Sequence, residues 1–243
     1  MVFVSLLNCW QSLGLTEQIE VIRLTVMIIS TFAAVFGAVY VYRNFKINEK
    51  KLLTDRFSKA VEQLGTTSNR TVVLGGIYAL SKIAQDSPEY HWLVMKVIAS
   101  FIRGKALEFA PREATNTKDY PRVYPQIQEA INVIAQRDYT KDLHNETLDL
   151  SGSVLFRANL ANANFKRVNL REANFGQTNL KGVDFSEANL EKASFLEADL
   201  SQAILQRTNL KEAIYCNETK FPSNFDPDVE GMKKNPDFPN QYS

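Results

Sequence analysis

Cysteine and histidine are nearly missing from this sequence. There are two of each in 243 residues: Cys9, Cys216, His91 and His144. The cysteines lie far apart and neither has metal-ligand spacing. Two histidines are too few for most zinc sites or acid–base constellations. An excess of charge is missing as well, with 28 Lys and Arg against 27 Asp and Glu. That balance removes the usual reason to expect a nucleic-acid partner. A phosphate loop is also lacking, because Gly75-Gly76 is followed by no Lys-Ser/Thr and preceded by no predicted strand. The sequence therefore predicts no catalytic residue, no cofactor site, no metal site and no enzyme activity.

Charge is absent outright from one stretch. Leu24 to Tyr42 are 19 consecutive uncharged residues, mostly Val, Ile, Phe and Ala. A helix of that length covers about 29 Å, close to the hydrocarbon thickness of a bilayer. Tyr40 and Tyr42 sit where an interfacial belt would be. Arg23 alone precedes the run, whereas Arg43, Lys46, Lys50, Lys51 and Arg56 follow it. The positive-inside rule then predicts a single-pass membrane protein with residues 1–23 as an extracytoplasmic tail and the C-terminal bulk in the cytoplasm. No basic segment opens the chain, so the run does not read as a cleavable signal. This topology separates Cys9 from Cys216 and predicts free thiols.

Residues 43–138 read as a helical module. Leu53, Phe57, Val61 and Leu64 recur at spacings of three and four, plausible as a continuation of the membrane helix. Gly65 to Asn69 breaks that pattern. A second helix, about Thr71 to Gln85, carries Val73, Ile77, Leu80 and Ala84. Ser87-Pro88 starts a third that ends near Arg103, with Trp92, Met95, Ile98 or Ala99, and Ile102 as its stripe. Gly104 to Tyr124 reads as a loop. A fourth helix, about Pro125 to Arg137, carries Ile127, Ile131 and Ile134. Such stripes must pack together, as a small bundle or a HEAT-like stack.

The last part of the chain repeats with a period of five. Every fifth residue is large and apolar through Leu150, Leu155, Leu160, Phe165, Leu170, Phe175, Leu180, Phe185, Leu190, Phe195, Leu200, Leu205, Leu210 and Tyr215, which is 14 unbroken positions. Two residues earlier stands a small residue, as in Ala158, Ala173, Ala193 and Ala213, with Asn or Asp usually between. A period of five fits neither a helix nor a strand, so the chain must turn a corner every five residues. Sorted by a period of twenty, phenylalanine falls only on the second and fourth faces, and like stacks on like. The outer positions share that period. Glu172, Lys192 and Glu212 form one column of alternating sign; Arg171, Glu191 and Lys211 form another; Arg167, Glu187 and Arg207 a third.

This pattern resembles the pentapeptide-repeat family, whose signature is Ala-Asp/Asn-Leu-x-x. The resemblance covers Leu148 to Asn217 and implies a right-handed quadrilateral parallel β-helix with the central Leu or Phe inside. Residues 148–217 are thus the predicted β-helix and 218–243 a capping tail, similar to the way such repeats end. The segments Arg56 to Gly65 and Leu74 to Leu80 resemble a juxtamembrane module that precedes pentapeptide repeats in many bacterial, especially cyanobacterial, membrane proteins. That module often has a basic residue before its Leu-Gly-Gly; this chain has Val73. The expected fold class is α+β: a transmembrane helix over 24–42, a small helical bundle, and the β-helix.

The function expected is that of a membrane-anchored scaffold binding a cytoplasmic protein, with the lipid bilayer as second partner through Leu24–Tyr42. A regulatory subunit of a membrane transporter or enzyme is the alternative, and the composition is compatible with a homo-oligomer. Mimicry of DNA, as in pentapeptide proteins that protect gyrase, needs a strongly negative rod. Leu148 to Lys220 instead carries nine basic and nine acidic residues. The second face of the coil differs from the polar others, because Val154, Phe156, Leu196 and Ile214 stand at its outward positions with Cys216 beside them. This apolar cluster is the candidate partner-binding face.

Overall fold

The computed structural model describes residues 10–12, 14–66, 69–109, 123–143 and 145–235, side chains excepted at 106–109. It comprises two compact units, Met1–Asp55 and Arg56–Ser243. Cys9, His144, Pro111 and Pro121 lie outside the described residues, as do residues 1–9 and 13 of the expected N-terminal tail and residues 110–122 of the loop before Pro125.

Within the first unit the chain is helical from Leu15, the start of α1 (Leu15–Gly65). Every residue from 24 to 42 is exposed there. Hydroxyls in this apolar run bond back to their own helix: Thr25 Oγ1 donates to the Val21 carbonyl at 2.7 Å, and Ser30 and Thr31 donate to Met27 O at 2.9 and 2.7 Å. Such bonding satisfies the hydroxyls without any outside partner. Among the described residues α1 is the one helix long and apolar enough to cross a membrane, by length and composition. It is also far longer than the span expected from the charge-free run, at 51 residues. The stretch after Arg43 keeps helical propensity and meets no breaker before Gly65.

The second unit contains the last turns of α1 together with α2 (Arg70–Asp86), α3 (Pro88–Phe109), α4 (Pro125–Ala135) and a short 3-10 turn at Tyr139–Lys141. Asn69 caps α2, its Oδ1 accepting from the Thr71 and Val72 N–H groups. Val73, Ile77, Leu80 and Ala84 are buried, as are Trp92, Met95, Ile98, Ala99, Ile102, Ile127, Ile131 and Ile134. These are the expected stripes, and α2, α3 and α4 pack on one another through them. α3 runs to Phe109 and not to Arg103, because Gly104 lies in open space inside the helix and costs only its propensity. Gly76 explains one of the two adjacent glycines. A Cβ there would sit 2.8 Å from the Ala60 carbonyl, whereas at Gly75 the nearest atom is 3.9 Å away.

From Leu148 the chain coils. Strand-like pairs are short: β1 (Leu148–Asp149) with β2 (Val168–Asn169), and β3 (Ile214–Tyr215) with β4 (Lys233–Lys234), all parallel. Between them lie isolated parallel bridges, Val154 with Asn174, Asn159 with Asn179, Asn164 with Asp184, Asn169 with Asn189 and onward. Bridges recur every five residues along the chain and join residues twenty apart. At the corners a β-turn closes, with Ala158 N bonded to Leu155 O at 3.0 Å and Ala173 N to Leu170 O at 3.0 Å. The third turn residue has positive φ, as in Arg157 (58°), Glu187 (60°) and Glu212 (60°). Non-glycine residues pay for this conformation. The preceding Asn or Asp offsets it: Asn189 Oδ1 accepts from Glu191 N, and Asp184 Oδ1 from Ser186 N at 2.8 Å.

Thirteen of the fourteen central residues are buried. Leu205 is half-buried, which corrects its place in the closed interior. It ends the column of Phe165, Phe185 and Leu205, where Ile204 beside it is 43% exposed and no bridge from Ile204 to a later coil exists among the described residues. Phenylalanines form two ladders, Phe165 over Phe185 at 5.7 Å and Phe175 over Phe195 at 5.4 Å. The two ladders meet edge to face, with Phe175 and Phe185 centroids 5.8 Å apart. Where the small position is not Ala, its hydroxyl is satisfied: Thr178 donates to Leu155 O at 2.8 Å and Thr208 to Phe185 O at 2.9 Å. The tail covers the far end through β4, and Lys220 pairs with Asp199, one residue out of the twenty-residue register. Tyr215 donates to Asp228 Oδ1 at 2.6 Å, and this bond, with burial, pushes its hydroxyl pKa up to about 12.

Candidate functional site

The candidate face resolves into two columns. Val154, Asn174, Ser194 and Ile214 form one, joined by bridges; Phe156, Gly176, Leu196 and Cys216 stand two residues on in the same pentapeptides. Polar Asn174 and Ser194 separate Val154 from Ile214. Phe156 is not outward-facing as expected. It is 7% exposed because the Gly176 position leaves room for its ring: a Cβ there would lie 2.8 Å from Phe156 Cδ2. The Arg157 guanidinium stands 5.0 Å from the ring centroid. Arg157 Nε donates to Gln177 Oε1 at 2.6 Å, and Gln177 Nε2 to Glu197 Oε2 at 3.1 Å. Cys216 is a free, buried thiol whose Sγ accepts from the Glu197 N–H. Val154 and Leu196 are half-buried and Ile214 is 36% exposed. What remains apolar at the surface is Ile214 with part of Leu196 and Val154, not a continuous patch.

The charge columns pair partly as expected. Arg207 Nη2 lies 2.8 Å from Glu187 and Arg171 Nε 3.7 Å from Glu191. Arg171 also reaches sideways to Glu172 at 3.0 Å. Lys233 of the tail adds to the column of Glu172, Lys192 and Glu212, 3.3 Å from Glu212, holding that carboxyl below its usual range.

A second group of residues, joined by polar contacts where the helices meet the first coil, has no counterpart in the sequence reading. Arg137 follows α4 directly, and its side chain is wholly buried. Its Nε donates to Asp142 Oδ2 at 2.9 Å, Nη1 to the carbonyls of Asn164 (2.6 Å) and Ile134 (3.4 Å), and Nη2 to Lys166 O at 2.7 Å. The Gln128 side chain does the same nearby. It accepts from Asn159 N at 3.0 Å and donates to Asn159 O at 2.9 Å, as a neighbouring coil's peptide would. Asn164 N donates to Ala135 O at 2.9 Å. The end of α4 thus replaces the coil missing before the first one. Arg103 pairs with Asp149, and Trp92 and Lys96 both donate to Glu146. His91 is buried, its Nε2 3.4 Å from Asp142 Oδ1 and in no hydrogen bond. His91, Met95, Arg137 and Lys141 help to line a cavity of about 160 Å³. A lone Arg five residues before an Asp, just past an apolar stripe, was the only signal in the sequence.

Comparison with known proteins bears on the coils. The model of the pentapeptide repeat region matches residues 141–215. A pentapeptide-repeat protein of Nostoc PCC 7120 is 34% identical over 37% of this chain and 74% of its own length, with a TM-score of 0.36. The chain belongs to the pentapeptide-repeat family. HetL of the same cyanobacterium, a pentapeptide-repeat protein involved in heterocyst differentiation regulation, is 25% identical over 37% of this chain and 38% of its own (TM-score 0.28). A pentapeptide-repeat protein of the Arabidopsis thaliana thylakoid lumen is 28% identical over 29% and 56% (TM-score 0.19). No curated protein matches.

Among the described residues no group of three His, Cys, Asp or Glu side chains could hold a metal ion. The repeats present Asn amides in rows, such as Asn209 to Asn189 at 2.9 Å and Asn189 to Asn169 at 3.2 Å, beside balanced charge.

Proposed function

We propose that this pentapeptide-repeat protein is a non-enzymatic scaffold, anchored in a membrane by Leu24–Tyr42, whose coil is held in the cytoplasm for a protein partner. The coil in this reading is a right-handed quadrilateral. The recurrence of bridges every five residues, between residues twenty apart, supports four sides. The observation that carries the anchor is the charge-free run on α1, exposed along its whole length, with its hydroxyls bonded internally. The cluster of Arg43, Lys46, Lys50 and Lys51 after it supports the orientation. The partner's contact on the second face centres on Leu196 and Ile214, since Phe156 is occupied internally. Fractionation and protease protection test the anchor: the protein should pellet with membranes and its repeats should resist protease added from outside. Recovery in the soluble fraction would end this reading. Co-purification after detergent extraction tests the partner. A transporter or enzyme subunit in stoichiometric amount would make the chain a regulatory subunit, and Leu196→Glu should weaken capture while leaving the fold intact.

A further inference from the structure

We propose that the basic stripe following the charge-free run of α1 binds anionic lipid headgroups. The inference rests on the anchor proposed above and adds which lipids surround it. Arg43, Lys46 and Lys50 recur at spacings of three and four, so they share one side of the helix, with Lys51 beside them. All four are exposed. Glu49 is the one acid between Arg43 and Lys51, and its Oε2 lies 3.2 Å from Lys46 Nζ. Four cations against one carboxylate leave this segment with an excess of three positive charges. At the other end of the run, Leu15 to Arg23 holds Glu17 and Glu20 against Arg23 alone. The positive excess is thus confined to one end of the span.

Apolar side chains carry the same segment into the interface. Phe45 is 64% exposed and Ile47 59%, both beyond the last residue of the uncharged run. Ile47 lies on the basic side, one turn from Arg43, Lys50 and Lys51. Cations interleaved with exposed apolar groups suit the boundary between acyl chains and headgroups. Depth agrees. At 1.5 Å per residue Lys46 stands about 5 Å beyond Arg43, and Lys51 about 12 Å beyond it. The headgroup layer is roughly 5–8 Å thick on each side of a bilayer. Arg43 and Lys46 therefore stand level with lipid phosphates, to which guanidinium and ammonium groups donate charge-assisted hydrogen bonds. Lys50 and Lys51 stand just outside, within the roughly 8 Å over which an anionic surface attracts cations at physiological salt. A zwitterionic lipid offers a phosphate to the first pair and no surface potential to the second, so the stripe selects lipids of net negative charge.

Spin-labelled lipids test the selection. The full-length protein is reconstituted into phosphatidylcholine vesicles, and the fraction of label immobilised on the protein is compared between labelled phosphatidylglycerol and labelled phosphatidylcholine. Phosphatidylglycerol should be preferred by about fivefold, the weight of one basic side chain near an anionic lipid, and the preference should fall in high salt. Arg43→Gln, Lys46→Gln, Lys50→Gln and Lys51→Gln combined should bring the ratio to about one without loss of incorporation. Equal immobilisation of the two lipids in the wild type, or a preference that survives in the combined variant, would overturn the proposal and leave the anchor standing. Failure of the wild type to incorporate into the vesicles would overturn the anchor, and the proposal with it.

Discussion

In the coils almost every interior residue has a counterpart twenty positions away, while in the helical module none does. The difference shows in how each region tolerates polar groups. The repeats satisfy theirs by periodic bonds, an Asx turn and a ladder at each corner, so the loss of one is shared among many. The junction relies on single side chains. Arg137 alone serves four acceptors on three segments, and Gln128 alone completes Asn159. A periodic structure is robust to polar changes on its walls and fragile only at its axis. A junction is fragile wherever its one connector stands.

Substitutions can sharpen that contrast. Phe185→Asp should do the most damage, because Phe185 is fully buried between Phe165 and the Phe175/Phe195 ladder. An unpaired charge there should cost more than about 4 kcal/mol, read as loss of the folded protein in thermal or urea unfolding. Arg137→Met should follow at about 3–5 kcal/mol, because it strands the Asp142 carboxylate and frees two coil carbonyls. Gly76→Ala should cost about 1–3 kcal/mol by forcing α2 away from the Ala60 carbonyl. Gly75→Ala should instead gain roughly 0.5–1 kcal/mol from helix propensity. Asn189→Ala should be mildest among the losses, at about 1 kcal/mol, since water can replace its half-buried bonds. If Asn189→Ala and Phe185→Asp lowered Tm equally, the wrong residues would be assigned to the interior.

Much of this was legible in the sequence, for physical reasons. The central Leu and Phe positions are readable because a closed coil must stack like on like, and the stripe Val73, Ile77, Leu80, Ala84 because a helix buries one side. Leu205 departs because a period says nothing about where the column ends. Phe156 was misplaced for a different reason. Its position beside the inward Leu155 put it outside, and only the empty space at Gly176, twenty residues on, draws its ring in. The Arg137, Asp142 and His91 cluster was illegible, since it joins segments brought together only by the packing of α3 and α4 against the first coil.

The central structural claim is that α4 and Arg137 complete the β-helix, so that the first coil is as well supported as the second. Native-state hydrogen exchange on the full-length protein in detergent tests it residue by residue. The N–H groups of Asn159 and Asn164, bonded to Gln128 and Ala135, should exchange through the same opening as those of Asn179 and Asp184, bonded to Ala158 and Ala163. Arg137→Met should speed the first pair more than the second. Free exchange at Asn159 and Asn164 in the wild type, beside a protected second coil, would contradict the claim.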